Sequence, residues 1–303
     1  MAQSGQVAEA VSRVTGRPVE LVEITTYGDI SRENLAQIGG TGVFVTALRE
    51  ALVRGEVDFA VHSLKDLPTA QPENLALAAV PVREDVRDVL VARDGLTFEQ
   101  LPDGARVGTG SPRRMAQLNA YARSHGMSIE TVAIRGNVDT RIGYVHSGEL
   151  DAVVLAAAGL NRIGRIDEVT DFLSVDTVLP APGQGALAIE CAADNADLVA
   201  ALAELDDPFT RAAVTAERSL LAALEAGCSA PVGAYADLLA DGQIVKEMRL
   251  RGVVGMTDGS TLVQLSTTGP VPETHDQAMS LGRELAAEML AKGAAGLMGE
   301  RAL

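Results

Sequence analysis

The chain has no tryptophan, and with four tyrosines and five phenylalanines its aromatic share is 3% of 303 residues. That leaves little with which to stack on bases. Basic charge is also scarce: 25 Lys and Arg stand against 41 Asp and Glu, a formal net charge of −16. Nucleic-acid binding relies on basic surface to neutralise phosphates, so this balance argues against it. Long apolar runs are missing; stretches such as Val153 to Leu160 fall far short of the ~20 residues that span a bilayer. Two cysteines, Cys191 and Cys228, are too few for a disulfide framework, and no secretory signal opens the chain. The expectation is a protein of the reducing cytoplasm that binds neither nucleic acid nor membrane.

What is present is the composition of folded domains, 47% hydrophobic and 22% charged. At ~150 residues per domain the length suggests two domains, or three small ones. Lysine is rare, with only Lys65, Lys246 and Lys292 against 22 arginines. Codon bias accounts for that total. The positions of several arginines, where strands meet helices, are more informative.

Residues 1–15 read as a helix with Val7, Val11 and Val14 on one side. Pro18 to Thr25 reads as a loosely alternating strand, and Gly39-Gly40-Thr41-Gly42 precedes a helix showing Phe44, Leu48 and Leu52 on one face. Asp58 to Ser63, Leu75 to Val82 and Asp88 to Ala92 are further strands, an alternation that points to a mainly parallel α/β sheet. The pattern restarts with a strand from Arg106 to Thr109. Ser111-Pro112 then sits as N-cap and first residue of a helix to His125. A strand from Ile129 to Ile134, a helix capped by Asn137, a buried strand from Ala152 to Ala158 and another from Ala186 to Cys191 follow. A long helix from Pro208 to Ala226 is expected to end at Gly227. Beyond Cys228, three strand-like segments are joined at Asp241-Gly242 and Asp258-Gly259, dipeptides favoured in tight hairpins, and a helix from His275 to Ala291 closes an α+β unit.

In an open α/β sheet, ligands bind at the carboxyl ends of strands. Four such ends are polar: Ser63 to Asp66, Thr109 to Arg114, Arg135-Gly136-Asn137 and Gly159 to Arg162. Arg113, Arg114, Arg135, Arg162 and, one turn on, Arg141 gather there. Helix N-termini carry partial positive charge, and arginine adds bidentate recognition of carboxylate or phosphate. Together they suggest a polyanionic ligand; surface ion pairing with local acids is the plainer alternative. Asp66 could orient a ligand N–H, stabilise a cation or transfer a proton, or merely cap its loop. Cys228, in a Gly/Pro-flanked loop, could be a nucleophile or an attachment point, whereas Cys191 reads as a packed small hydrophobe. The four histidines are scattered without metal-ligand spacing.

Six segments resemble hydroxymethylbilane synthase (porphobilinogen deaminase) in family order across nearly the whole chain. They are Val61-His62-Ser63-Leu64-Lys65-Asp66-Leu67-Pro68, Gly108 to Arg114, Arg135 to Arg141, Leu155 to Arg162, Pro182 to Ala186 and Glu225 to Cys228. The resemblance implies two periplasmic-binding-protein-like α/β domains plus a smaller α+β C-terminal domain with an antiparallel sheet. Their expected bounds are 1–84 with 186–204, 88–180, and 208–303. It implies a transferase that joins four porphobilinogens head to tail, releasing ammonia each time, to give hydroxymethylbilane for haem and related tetrapyrroles. A dipyrromethane cofactor would be held by a thioether to Cys228, and Asp66 would be the catalytic residue, stabilising an azafulvene-like cation. By the family pattern, Lys65, Thr109, Ser111, Arg113 and Arg114 would hold cofactor carboxylates, with Asp29, Ser63 and Asp66 beside them. Arg135, Arg141, Arg162 and Phe44 would serve the substrate and the growing chain. A monomer is expected.

Two departures stand out. Thr41 occupies a position where many relatives carry lysine. Family chains also begin with a strand and a basic segment ahead of the first helix, whereas Met1 here falls inside that helix. The expectation is a true start upstream, and a marginal first domain without it. A non-catalytic small-anion binding protein, or an inactive truncated relative, is the rival reading.

Overall fold

The computed structural model describes residues 2–24, 42–227, 230–242 and 244–298. They form two compact units, Met1–Arg83 with Ala186–Arg211, and Glu84–Gly185 with Ala212–Leu303. The sequence reading placed residues 88–180 and 208–303 in separate domains; here both belong largely to the second unit.

In the first unit, helix α1 (Ala2–Thr15) turns Val7 and Val11 inward at i, i+4 spacing. They pack on Ala78, Ala79, Ile189, Cys191 and Leu202. Helix α2 (Gly42–Val53) lays Leu52 and Leu48 on Ala60 and Leu75. The sheet between these clusters has strand β8 (Leu187–Ala192) at its centre, flanked by β1 (Phe59–Ser63) and β2 (Leu75–Ala79). Both neighbours run antiparallel to β8. The expected mainly parallel sheet is therefore corrected here. The chain leaves for residues 84–185 and returns in the opposite direction between two strands already laid down. The strand expected from Pro18 to Thr25 is also absent over its described residues, 18–24, which join no ladder and leave Leu21 and Val22 exposed.

The second unit holds two sheets. One has five strands in the order β5-β4-β6-β3-β7: β3 (Asp88–Ala92), β4 (Ala105–Gly108), β5 (Ile129–Val132), β6 (Ala152–Ala156) and β7 (Asp171–Phe172). β4 pairs parallel with β5 and with β6, whereas β3 runs antiparallel to both its neighbours, β6 and β7, and so alone opposes the other four strands. Helix α3 (Pro112–Ser124) follows β4, α4 (Val138–His146) follows β5, and α5 (Ala157–Arg162) follows β6 directly. The strand expected through Ala158 thus stops at Ala156. In the first unit, α6 (Ala196–Ala203), which the sequence reading did not foresee, packs on β2 and β8. Helix α7 (Pro208–Ala223) ends earlier than expected, with Glu225 rather than Gly227 in the left-handed region at φ 54°.

The other sheet is the expected meander, β9 (Val232–Asp241), β10 (Ile244–Gly255) and β11 (Leu262–Pro270), all antiparallel. Helix α8 (His275–Ala291) and α7 cover it through Leu285, Met289 and Leu220, which meet Met248 and Leu250 together with Leu224 just beyond the end of α7.

Candidate functional site

Within the first unit, β1 runs into a single 3-10 turn, Leu64–Asp66. Fully buried Leu64 pins it, its N–H donating to the Ala186 carbonyl, and Pro68 follows closely enough to stop any longer helix. The turn leaves Ser63, Lys65 and Asp66 half-buried, with the Ser63 hydroxyl donating to Gln3 Oε1 at 3.3 Å. Burial pushes the Asp66 carboxyl above its ordinary range, while the charges of Lys65 and His62 pull it back. Behind the turn, His62 Nε2 lies 3.1 Å from Oε2 of Glu190 on β8, both side chains almost wholly buried. Arg49 grips both oxygens of Glu190, at 2.8 and 3.1 Å, and Gln71 donates to Oε1 at 3.1 Å. Burial alone would raise the Glu190 carboxyl; the contacts with His62 and Arg49 outweigh it and hold it at about 2.

Within the second unit, β4 hands over to α3 through Thr109-Gly110-Ser111. Thr109 is buried, and its hydroxyl accepts from the Ser111 N–H at 3.2 Å. Gly110 passes so close to the Ile134 carbonyl that a Cβ would stand 2.6 Å from its oxygen. Ser111 caps the helix as its sequence predicts, accepting from the Arg114 N–H at 3.3 Å, with Pro112 at the first turn.

Arg113 and Arg114 are not the freely projecting pair that the strand-end pattern suggested. Both are buried and both bind one fully buried carboxylate, Asp88, at 2.8 and 2.7 Å. Arg113 also donates to the Leu179 carbonyl, Arg114 to that of Val154, and Gln184 Nε2 reaches Asp88 Oδ1 at 2.9 Å. Burial opposes ionisation of Asp88, but the two guanidinium groups hold it well below the usual carboxylate range. Sequence reasoning missed the roles of Asp88 and Gln184: one looked like an ordinary strand start, and the other lay in the segment Pro182 to Ala186 without being singled out. Burial, then the charge of nearby Arg114, makes the Arg141 guanidinium easier to deprotonate than usual. Its Nε donates to the Gly136 carbonyl at 2.8 Å. Arg162 donates to the Gly185 carbonyl at 2.9 Å, and burial lowers its pKa while Glu84 opposes the shift. Arg135 is exposed. Asp29 and Cys228 lie outside the described residues, as does the side chain of Phe44.

The structure thus brings Arg113 and Arg114 together on one carboxylate, with Arg141 close enough to Arg114 to feel its charge. Cations exceed anions there, and the Nε atoms of Arg114 and Arg162 are buried without a hydrogen-bond partner. An anionic ligand with several carboxylates fits those unmet donors, because a buried charge is tolerated only when paired. Among the described residues, no cluster of three or more His, Cys, Asp or Glu is placed to hold a metal.

Comparison with known proteins agrees with this chemistry. Residues 1–200 match the family model described as porphobilinogen deaminase, dipyromethane cofactor binding domain, and residues 211–291 match the porphobilinogen deaminase C-terminal domain. Porphobilinogen deaminase 1 of Streptomyces avermitilis is 90% identical, over 99% of this chain and 94% of that protein. The Streptomyces coelicolor protein of the same name is 87% identical, over 100% and 95%. Porphobilinogen deaminase of Thermobifida fusca is 58% identical, over 96% and 90%. Among solved structures, the second substrate binding domain of a putative amino acid ABC transporter from Streptococcus pneumoniae aligns at 15% identity and TM-score 0.41, over 66% of this chain and 80% of that one. With the two family domains matched over residues 1–200 and 211–291 and relatives up to 90% identical over nearly the whole chain, the chain belongs to the porphobilinogen deaminase family.

Proposed function

We infer that the chain is a transferase joining four porphobilinogen molecules head to tail, with loss of ammonia, into hydroxymethylbilane for haem and other tetrapyrroles. The structural observation that carries this reading is the pair of buried guanidinium groups on the single carboxylate of Asp88, with Arg114 Nε still without a hydrogen-bond partner. Porphobilinogen bears an acetate and a propionate, so a chain of such units is a polycarboxylate. The rival readings, a simple anion-binding protein or an inactive relative, have no observation in their favour.

The dipyrromethane cofactor, once bound, supplies a primer carbon for the first substrate and carboxylates by which it is held. In the second unit, Thr109, Ser111, Arg113 and Arg114 would bind those carboxylates; Arg141, Arg162 and exposed Arg135 would take the substrate and the lengthening product. In the first unit, Lys65 and Ser63 would contribute further cofactor contacts. Asp29 is assigned to the cofactor, Phe44 to the substrate and Cys228 to the thioether, by the family pattern. Ionised Asp66 offsets the positive charge that develops on the pyrrole as ammonia leaves, and then takes up the proton released when the new carbon–carbon bond forms. Its half-buried setting, with burial opposed by Lys65 and His62, suits a carboxyl that must both give and take a proton. No helix among the described residues is long and apolar enough to cross a membrane, and we place the protein in the cytoplasm as a monomer.

Intact mass of the purified protein tests this directly. It is expected to carry the added mass of a dipyrromethane and to colour with Ehrlich's reagent. Cys228→Ser should lose both and Cys191→Ser should keep both. An active enzyme of unmodified mass would overturn the assignment.

A further inference from the structure

We propose that Gln117 is a positioning residue for Arg113: it fixes the Leu179 carbonyl that orients the Arg113 guanidinium, so that the Nε–Nη2 edge of that group is presented to a ligand carboxylate. The inference rests on the reading of Arg113 as a contact for the cofactor carboxylates.

Gln117 follows Arg113 by one turn of α3, which puts both side chains on one face of the helix. Both are buried, and both reach Leu179. The Gln117 amide pairs with the two main-chain groups of Leu179 at once. Its Oε1 accepts from the Leu179 N–H at 2.7 Å, and its Nε2 donates to the Leu179 carbonyl at 3.0 Å. A neighbouring antiparallel strand would hold a residue in the same way. The carbonyl so fixed accepts a second hydrogen bond, from Arg113 Nη1 at 2.6 Å, while Nη1 also donates to Asp88 Oδ2 at 2.8 Å. A terminal guanidinium nitrogen has two protons; with one sent to each acceptor, the planar group is locked. Among the described residues, every side-chain hydrogen bond of Arg113 leaves from Nη1. The Nε–Nη2 edge, a fork that matches a carboxylate with two parallel bonds, is thereby kept for a ligand.

Packing alone does not call for a glutamine here. Leu179 is lodged from its other side by β9: a Cβ on Gly233 would stand 3.0 Å from the Leu179 oxygen, and the Pro180 carbonyl accepts from the Ala234 N–H at 3.0 Å. The sheet holds the segment in place. Gln117 supplies the acceptor for the Leu179 N–H and sets the direction of its carbonyl. An apolar side chain of similar length would keep the contact and lose the orientation. Asp88 would then hold Nη1 through one proton, and the guanidinium would be free to turn its open edge away.

Wild type, Gln117→Met, Arg113→Lys and the double variant test this. Intact mass gives the fraction of purified chains that carry dipyrromethane, and kcat and KM are measured on the loaded fraction, with urea midpoints alongside. Gln117→Met should lower loading about three- to tenfold, one hydrogen bond's worth, and lower kcat, with KM within about twofold of wild type. Arg113→Lys keeps the buried charge without the fork and should lose at least as much. The double variant should load no worse than Arg113→Lys, because Gln117 then has no guanidinium to orient. Leu285→Ala, a truncation in the core under α8, is the stability control; its urea midpoint should fall and its loading should stay at the wild-type level. By nitrogen-15 NMR the two terminal nitrogens of Arg113, assigned by their loss in Arg113→Lys, should be separate in wild type and merge in Gln117→Met as the group rotates. Full loading in folded Gln117→Met, a double variant depleted beyond Arg113→Lys, or a control depleted as far as Gln117→Met overturns the proposal. If Gln117→Met does not fold, Gly233→Ala decides, since it pushes the same carbonyl with Gln117 in place; wild-type loading there overturns the proposal too. Wild-type protein of unmodified mass, or Arg113→Lys at full loading, overturns the reading of the site instead, and the NMR signals still decide whether Gln117 fixes Arg113.

Discussion

Asp88 shows how one residue changes the meaning of its neighbours. Arg113 and Arg114 look like ligand hands in the sequence, yet each already spends a guanidinium nitrogen on the same carboxylate. One anion between two cations leaves net positive charge in a dry place, which is the ground for proposing that a ligand carboxylate binds there. Asp88→Asn keeps the shape and removes the charge. Breaking a buried ion pair typically costs about 3–5 kcal/mol, because the partner stays behind uncompensated. The variant should therefore lose stability of that order in urea titration and also purify with less cofactor than wild type. Wild-type stability together with full cofactor loading would mean that the two arginines hold their places without Asp88.

Among the elements, the β4–α3 junction is the one whose construction shows most clearly. Ser111 and Pro112 start the helix, and Gly110 lets the strand end pass against the Ile134 carbonyl. A backbone oxygen 2.6 Å from a new Cβ cannot rotate away as a side chain would. Gly110→Ala should cost roughly 1–3 kcal/mol, the usual range for overpacking, and loosen the cap that positions Arg113 and Arg114. Lower melting with unchanged cofactor loading would show that the junction tolerates the shift. This junction was legible because its determinants are local: a capping serine, a first-turn proline and a tight glycine. The hairpin signals Asp241-Gly242 and Asp258-Gly259 worked for the same reason, with Gly242 and Gly259 both at positive φ. Strand direction was not legible. Periodicity says that residues 187–192 form a strand, but nothing within them tells that β8 will enter antiparallel between β1 and β2. The arginines were legible as a set at strand ends. Their pairing with Asp88 was not, since Asp88 lies 25 residues before Arg113 in the chain and carries no local mark of its partner.

For the whole molecule, two electrostatic effects compete as pH falls. A net charge of −16 at neutrality repels itself, and moving toward the isoelectric point near 4.7 relieves that repulsion. Against this, Glu190 is held at about 2 from an ordinary 4.5, and Asp88 is shifted in the same direction. With folded values below unfolded ones, the unfolded chain takes up protons first. The stability that these clamps contribute is complete above pH 4.5 and is lost as pH falls toward 2. For Glu190 the shift corresponds to about 3 kcal/mol, a sizeable part of a stability that is generally about 5–15 kcal/mol. Asp66 runs the other way: its raised value means that ionising it opposes folding as pH rises through that value. The melting temperature should therefore rise modestly from pH 7 toward 5 and drop steeply below 4.5. Glu190→Gln should melt lower than wild type at pH 7, with the gap closing as pH falls through the range from 4.5 to 2, because the variant has no such proton left to bind. Melting curves at half-unit pH steps decide it. Parallel curves for the two proteins would show that Glu190 titrates at its ordinary value, and that Arg49 and His62 leave its ionisation unchanged.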